Sequence, residues 1–115
     1  MELDYQLTYR SGIPLIYLRG RFDAESASFV KNQLLSLVNE QQPNLVVNMQ
    51  GVNFVDSLGL VALVSGMKLC RRNRGVFRLV GLQPTVRFLF EMTRLDQAFE
   101  LFPTEEAAFA DFARG

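Results

Sequence analysis

The beginning of the chain shows the alternation of apolar and polar side chains that is typical of half-exposed β-strands. Apolar residues at every second position from Tyr5 to Tyr9 predict one strand. Ser11 and Gly12 predict a turn into a second strand from Ile13 to Arg19, which we expect to end at Gly20. Proline cannot donate a backbone hydrogen bond, so Pro14 is expected at a sheet edge or among the first residues of its strand. The chain therefore opens with a predicted hairpin.

Farther along, short continuous apolar runs alternate with segments whose apolar residues recur at helical spacing. Continuous runs indicate strands covered on both faces, as in a parallel sheet. The other predicted elements are a helix from Ala24 to Gln41, a strand from Leu45 to Met49 that Gly51 breaks, a helix from Leu60 to Arg72, a strand from Val76 to Val80, a helix starting at Pro84, a strand from Ala98 to Phe102 and a helix after Thr104. The order ββαβαβαβα predicts an α/β fold in which helices pack against a mixed, mainly parallel sheet. At 115 residues the chain has the length of one domain, and residues 1–115 are predicted to form it.

The predicted central helix has more apolar residues than one buried stripe requires. The residues expected to face the core are Leu60, Leu63, Val64 and Met67. The residues that point in other directions are Leu58, Val61, Ala62 and Leu69. A surface helix usually carries polar residues there, so this second face is either exposed for a binding partner or covered by a neighbouring helix. The sequence leaves both possibilities open.

Two polar residues, Asp56 and Ser57, stand where this helix is predicted to begin. The first N–H groups of a helix lack partners within the helix, and the helix dipole is positive at that end. A side-chain oxygen there can cap the helix, and a phosphate on Ser57 should also be accepted by the free N–H groups. Asp23 occupies the corresponding position before the preceding predicted helix, where a helix cap is favoured over a residue that contacts a partner.

Composition narrows the classes of function. Twelve Lys and Arg against twelve Asp and Glu give no net charge, which argues against a protein that mainly binds nucleic acid or an anionic membrane. No uninterrupted apolar run approaches the roughly 20 residues of a membrane span, and no signal-peptide pattern is present. We therefore expect a cytoplasmic protein without direct membrane insertion. We also expect a monomer or a weak dimer. The single cysteine, Cys70, cannot form an internal disulfide.

The chain contains no histidine. This excludes Ser-His-Asp and Cys-His catalysis and any His-ligated metal site. A phosphate-binding Gly-rich loop with Lys-Ser/Thr and a dinucleotide fingerprint are also missing from the sequence. We expect a protein that is not an enzyme and that uses neither a cofactor nor a metal.

Several segments together resemble the STAS domain of bacterial anti-sigma factor antagonists, and the resemblance extends over nearly the whole chain. They are Phe54 to Leu60, Arg78 to Gly81 with Pro84, Val86 and Arg87, the glycine-to-aspartate segment from Gly20 to Asp23, and Met92 to Phe99. The core signature of that family is Asp-Ser-Ser/Thr-Gly-Leu. Here Leu58 replaces the second hydroxyl residue of the signature.

The resemblance implies a phosphorylation switch. In the family, a partner kinase that is also an anti-sigma factor phosphorylates the serine after the aspartate, which is Ser57 here. The implied partners are such a Ser/Thr kinase and a PP2C-like phosphatase that restores the unmodified protein. The residues expected to contact the kinase are Asp23, Asp56, Ser57, Leu58, Gly59, Val61 and Ala62. In this interpretation Asp56 helps position the kinase-bound phosphate or its accompanying metal; a plain cap is the equally weighted alternative.

Two other interpretations keep the α/β architecture. The first is a constitutive STAS scaffold in a sensor or transporter complex, which Leu58 and the second apolar face would suit. The second is a receiver-like domain that accepts phosphate on Asp56. Receivers need an acidic metal-binding cluster and a lysine near the acceptor, and this sequence offers neither after its first strand.

Overall fold

The computed structural model describes residues 2–112 and is built around one five-stranded sheet in the order β1-β2-β3-β4-β5. The strands are β1 Leu3–Arg10, β2 Ile13–Phe22, β3 Leu45–Val55, β4 Phe77–Val80 and β5 Glu100–Phe102. Strand β1 is antiparallel to β2, and every other neighbouring pair is parallel. The predicted mixed, mainly parallel sheet is therefore confirmed.

Residues 2–112 form four helices, of which three connect successive strands and the fourth follows β5, and the predicted order ββαβαβαβα is confirmed. They are α1 Ala24–Leu37, α2 Ser57–Arg72, α3 Pro84–Met92 and α4 Glu105–Phe109, with one 3-10 turn at Leu95–Gln97. Alternate strand residues bury two apolar clusters, one on each face of the sheet. Helices α1, α2 and α3 contribute to the larger cluster, and α4 covers the smaller one. Among the described residues, no helix is long and apolar enough to cross a membrane.

Two strands run past the glycines at which we predicted them to end. Strand β2 continues through Gly20 to Phe22, and β3 continues through Gly51 to Val55. The parallel pairing of these strands shifts register on either side of Gly20, which has a φ of 110°. A Cβ at Gly20 would lie 2.2 Å from the carbonyl oxygen of Glu2. The glycine therefore marks an irregularity and a close backbone approach inside a strand, not the strand's end.

Helix α1 ends at Leu37, before the predicted end at Gln41. The side-chain oxygen of Asn39 accepts hydrogen bonds from the backbone N–H groups of Gln41 and Gln42 at 2.9 and 2.8 Å. A short amide side chain that binds nearby backbone in this way competes with continuation of the helix. The predicted helix is therefore too long at this end, because Asn39 forms a local turn in place of the last helical turn.

A buried arginine ties the end of the described chain to the sheet. Arg78 on β4 donates to both carboxylate oxygens of Asp111 at 2.6 and 2.8 Å, and to the carbonyl of Ala108 at 2.8 Å. Its Nε donates to Glu100 at 3.1 Å. The guanidinium carbon also lies 4.5 Å from the ring centroid of Phe112. These contacts compensate the buried charge and hold the segment after α4 against β4.

The Arg78 contact should make the attachment of this segment sensitive to acid. Hydrogen bonding to Arg78 lowers the pKa of Asp111 from 3.8 to about 2. Because the folded-state pKa lies below the unfolded one, the stabilisation is present above pH 4 and is lost as the pH falls towards 2. A carbon-detected NMR titration should give Asp111 a midpoint near 2 in the wild type and a higher one in Arg78→Met. A wild-type midpoint near 4 would contradict the assignment.

Candidate functional site

The candidate site lies where β2 and β3 end side by side. In this parallel pair, Arg21 lies opposite Phe54 and Phe22 lies opposite Val55. Each strand is followed directly by an aspartate, Asp23 or Asp56, that caps the next helix. The N-termini of α1 and α2 therefore meet at one edge of the sheet. Parallel strands bring their carboxyl ends to the same edge, which is where α/β proteins commonly bind partners or ligands.

Asp56 joins the two helix N-termini. Its Oδ1 accepts hydrogen bonds from the N–H groups of Leu58 and Gly59, both at 3.0 Å, and its Oδ2 accepts one from the N–H of Ala24 at 3.0 Å. The expectation that free N–H groups at the start of α2 would receive a phosphate is therefore wrong for Leu58 and Gly59, because Asp56 already binds them. The cap function of Asp56 is confirmed, and one carboxylate fixes the start of both α1 and α2.

Asp23 caps α1 as predicted. Its carboxylate accepts from the N–H of Glu25 at 3.1 Å, while its own N–H donates to the Ser26 hydroxyl at 3.2 Å. The carboxylate also forms a 3.6 Å ion pair with Arg21. Asp23 is half-buried, so its edge remains accessible beside the start of α2.

Ser57 is the first residue of α2, directly after the cap, and is exposed. The alternative in which Ser57 itself caps the helix is wrong, because Asp56 fills that position. Within residues 2–112, the Ser57 hydroxyl forms no hydrogen bond. It is an accessible nucleophilic oxygen at the surface, and covalent modification there requires no local unfolding.

Two exposed apolar side chains lie near this residue. Leu58 and Val61 are 49% and 51% exposed; Leu58 follows Ser57 directly in the chain, and Val61 lies one helical turn beyond Ser57 on the same face. We call Ser57, Leu58 and Val61 the Ser57 patch. Leu58 and Val61 thus belong to the exposed part of the second apolar face that the sequence indicated.

Ala62 lies outside this patch: the prediction that it points away from the core is wrong, because it is 1% exposed. Helix α1 packs along α2, and the Leu34 side chain lies against Gly66, one turn beyond Ala62. Because α1 packs on α2 in addition to the sheet, more of the surface of α2 is buried than the one stripe expected from the sequence. Leu69 is also half-buried against the core. Of the two possibilities for the second apolar face, coverage by a neighbouring helix therefore holds for part of it.

Gly59, another predicted contact residue, is buried beneath the patch. A Cβ at this position would lie 2.6 Å from the carbonyl oxygen of Phe22 and 3.0 Å from Cγ1 of Val55. The glycine lets the first turn of α2 approach the ends of β2 and β3. Gly59 therefore serves the packing of α2 against the strands and has no side chain that could contact a partner.

Sequence reasoning missed two residues at the same edge, Arg21 and Phe54. Both are exposed, and the guanidinium carbon of Arg21 lies 4.1 Å from the ring centroid of Phe54. Alternation past Gly20 places Arg21 at an exposed position. Burial does not alternate from Val52 to Val55, because the pairing with β2 skips Asn53, so the exposure of Phe54 follows only from the structure. The prediction that the strands end at Gly20 and Gly51 leaves both residues outside the sheet. The stacked pair extends the site with one cation and one aromatic ring.

The Cys70 thiol adds no reactive group to this edge. Burial raises the pKa of the Cys70 thiol to about 12, so the thiol is neutral at physiological pH. Among residues 2–112, no group of three acidic or cysteine side chains is placed to hold a metal ion. The chemistry that the site itself offers is an exposed hydroxyl beside apolar side chains.

One family model covers most of the chain. The model of the STAS domain matches residues 4–108. The anti-sigma F factor antagonist of Paenibacillus polymyxa is 22% identical over 112 residues, which cover 96% of each chain.

Solved structures share the fold. The crystal structure of an anti-sigma factor antagonist from Mycobacterium paratuberculosis superposes with a TM-score of 0.85 at 24% identity, covering 96% of this chain and 94% of the other. The Bacillus cell fate determinant SpoIIAA in its phosphorylated form superposes with a TM-score of 0.75 at 21% identity, covering 94% and 98%.

Proposed function

Because the chain belongs to the STAS domain family, we propose that it is an anti-sigma factor antagonist whose binding to a Ser/Thr kinase of the anti-sigma type is switched by phosphorylation of Ser57. The relatives named as anti-sigma factor antagonists support the general role. A solved relative, SpoIIAA, also exists in a phosphorylated form. The unmodified chain binds the kinase, and the phosphorylated chain is released.

The observation that carries this proposal is the exposed, unbonded hydroxyl of Ser57 in the Ser57 patch. A kinase must place the hydroxyl in line with the terminal phosphate of ATP, so the acceptor has to be reachable from solvent. Leu58 and Val61 give the kinase an apolar contact around the acceptor. Substrate recognition and the modified atom therefore share one surface.

Phosphorylation changes the charge of this surface without a change of fold. A phosphate adds about −1.5 to −2 charge at pH 7. The carboxylate of Asp56 already occupies the N–H groups of Leu58 and Gly59, so they are not free to neutralise that charge. The dianion stays beside another carboxylate at the contact surface, where a docked partner would have to desolvate or repel it. A PP2C-like phosphatase would return the chain to its binding state.

The site of modification can be tested with a matched pair of serines on α2. The purified chain is incubated with ATP and an anti-sigma-type Ser/Thr kinase from its own organism, and phosphate is located by mass spectrometry. We expect one phosphate on Ser57 and its loss in Ser57→Ala. Ser65→Ala is the control, because the Ser65 hydroxyl donates to the carbonyl of Val61 at 2.8 Å and lies outside the patch. Normal phosphorylation of Ser57→Ala would contradict the proposal.

A further inference from the structure

Strand β1 leaves a long edge of the sheet open. It has eight residues and only one neighbour, β2, among the described residues, whereas β5 at the opposite edge has three residues. A long edge strand presents a row of unpaired backbone N–H and C=O groups that another strand can bind. No proline interrupts β1, and its only charged side chains are those of Asp4 and Arg10. The edge therefore lacks the usual protection against pairing.

The hairpin geometry shows which backbone groups point outward. The turn residues Ser11 and Gly12 have φ of 55° and 76°, as in a two-residue hairpin turn that makes Arg10 and Ile13 a hydrogen-bonded pair. Hydrogen-bonded and non-hydrogen-bonded pairs alternate along an antiparallel ladder. The even-numbered residues of β1 therefore bond to β2. The residues whose N–H and C=O groups face outward are Leu3, Tyr5, Leu7 and Tyr9.

We propose that a second copy of this chain pairs with β1 in an antiparallel arrangement centred on Leu7. Leu7 then faces Leu7 of the second copy in a hydrogen-bonded pair, and Tyr5 faces Tyr9 of the second copy in the next one. The outward N–H and C=O groups of both strands are satisfied together. Two five-stranded sheets become one continuous ten-stranded sheet across the two-fold axis.

The charges of β1 select this register. With the axis at Leu7, Asp4 lies opposite Arg10 of the second copy, and the pair occurs twice by symmetry. Such non-hydrogen-bonded positions bring side chains close, which favours opposite charges. Arg10 forms a 3.4 Å ion pair with Glu105 and lies 4.9 Å from the ring centroid of Phe109, but its side chain remains 39% exposed and so is accessible to Asp4 of the second copy. Sliding one strand by two residues would instead place Asp4 opposite Thr8, or Arg10 opposite Gln6, and lose both ion pairs.

The same register covers exposed apolar surface. Leu7 and Tyr9 are 39% and 59% exposed, and they lie on the face of β1 that packs towards α1. Pairing places Leu7 against Leu7 of the second copy and Tyr9 against Tyr5 of the second copy. A contact of one strand per subunit buries less than the roughly 1,600 Å² of typical stable interfaces, so the dimer is weak. We expect it to form at protein concentrations of about 0.1 to 1 mM.

Charge variants at the two-fold axis test the pairing by sedimentation equilibrium. In Leu7→Lys or Leu7→Glu, two like charges face each other, and self-association should weaken about tenfold. An equal mixture of the two variants should associate again, because the ammonium of one chain then faces the carboxylate of the other. The exposed Leu7 side chain permits both substitutions, and circular dichroism checks that each variant stays folded.

The control is Met92→Lys, which places the same charge on α3 at a side chain that is 67% exposed. It should leave the dissociation constant of the dimer unchanged. Three results would overturn the proposal: a wild-type chain that stays monomeric at about 1 mM, equal weakening by Met92→Lys, or a Leu7→Lys and Leu7→Glu mixture that does not associate. A monomeric wild type would mean that β1 does not pair with a second copy. Equal weakening by Met92→Lys would place the interface on α3.

Discussion

Phosphorylation of Ser57 is expected to lower the affinity of the chain for its kinase partner about a hundredfold, which corresponds to roughly 3 kcal/mol of binding free energy. The modified residue directly precedes exposed Leu58 and lies one helical turn before exposed Val61, so a partner that covers these side chains must also enclose the phosphate. Enclosing an unpaired dianion requires its desolvation, and the adjacent Asp56 carboxylate adds like-charge repulsion. The unmodified hydroxyl imposes neither cost.

Isothermal titration calorimetry measures this effect, with the kinase bound to a nucleotide from which it cannot transfer phosphate. The unmodified chain, Ser57→Asp and the chain phosphorylated on Ser57 should bind in that order of decreasing affinity, because the single charge of aspartate is smaller than that of the phosphate. Ser36→Asp is the charge control, since Ser36 is exposed near the opposite end of α1 and should leave affinity unchanged. Unaltered binding of both the phosphorylated chain and Ser57→Asp would favour the constitutive scaffold over the switch.

Replacement of Asp56 by alanine is expected to destabilise the fold by about 3 kcal/mol. The substitution leaves the N–H groups of Ala24, Leu58 and Gly59 without their carboxylate acceptor. Two helices lose their fixed starting point together, because the bond to Ala24 crosses from the start of α2 to the start of α1. Urea unfolding followed by circular dichroism gives the free energy of unfolding.

Two variants separate the contributions of Asp56. Asp56→Asn keeps one amide oxygen for the N–H groups of α2 but loses the acceptor for Ala24, so a loss of about 1 kcal/mol is expected. Asp23→Ala removes a single N–H acceptor from α1, and its cost should also be about 1 kcal/mol. If Asp56→Ala costs no more than Asp23→Ala, the connection between the two helices does not stabilise the fold.

Much of the fold was predictable because its signals are local. The order of strands and helices follows from apolar periodicity, and the capping positions of Asp23 and Asp56 follow from the need of the first helical N–H groups for an acceptor. The position of Ser57 at the start of α2 follows from the same reasoning. The strand ends were less predictable. Glycine often ends a helix or a strand, but Gly20 and Gly51 lie inside strands.

The α/β class, the helix caps and the hydroxyl at the start of the central helix can be read from the amino-acid order, since these depend on residues close together in the chain. Which apolar residues of α2 stay exposed depends on the packing of distant segments. Leu58 and Val61 remain about half exposed, while Ala62 is buried on α2, against which the distant helix α1 packs. Periodicity reports the faces of one helix, but burial depends on how many neighbours pack against it. The bond from Asp56 to Ala24 likewise exists only because β2 and β3 pair in parallel and end together.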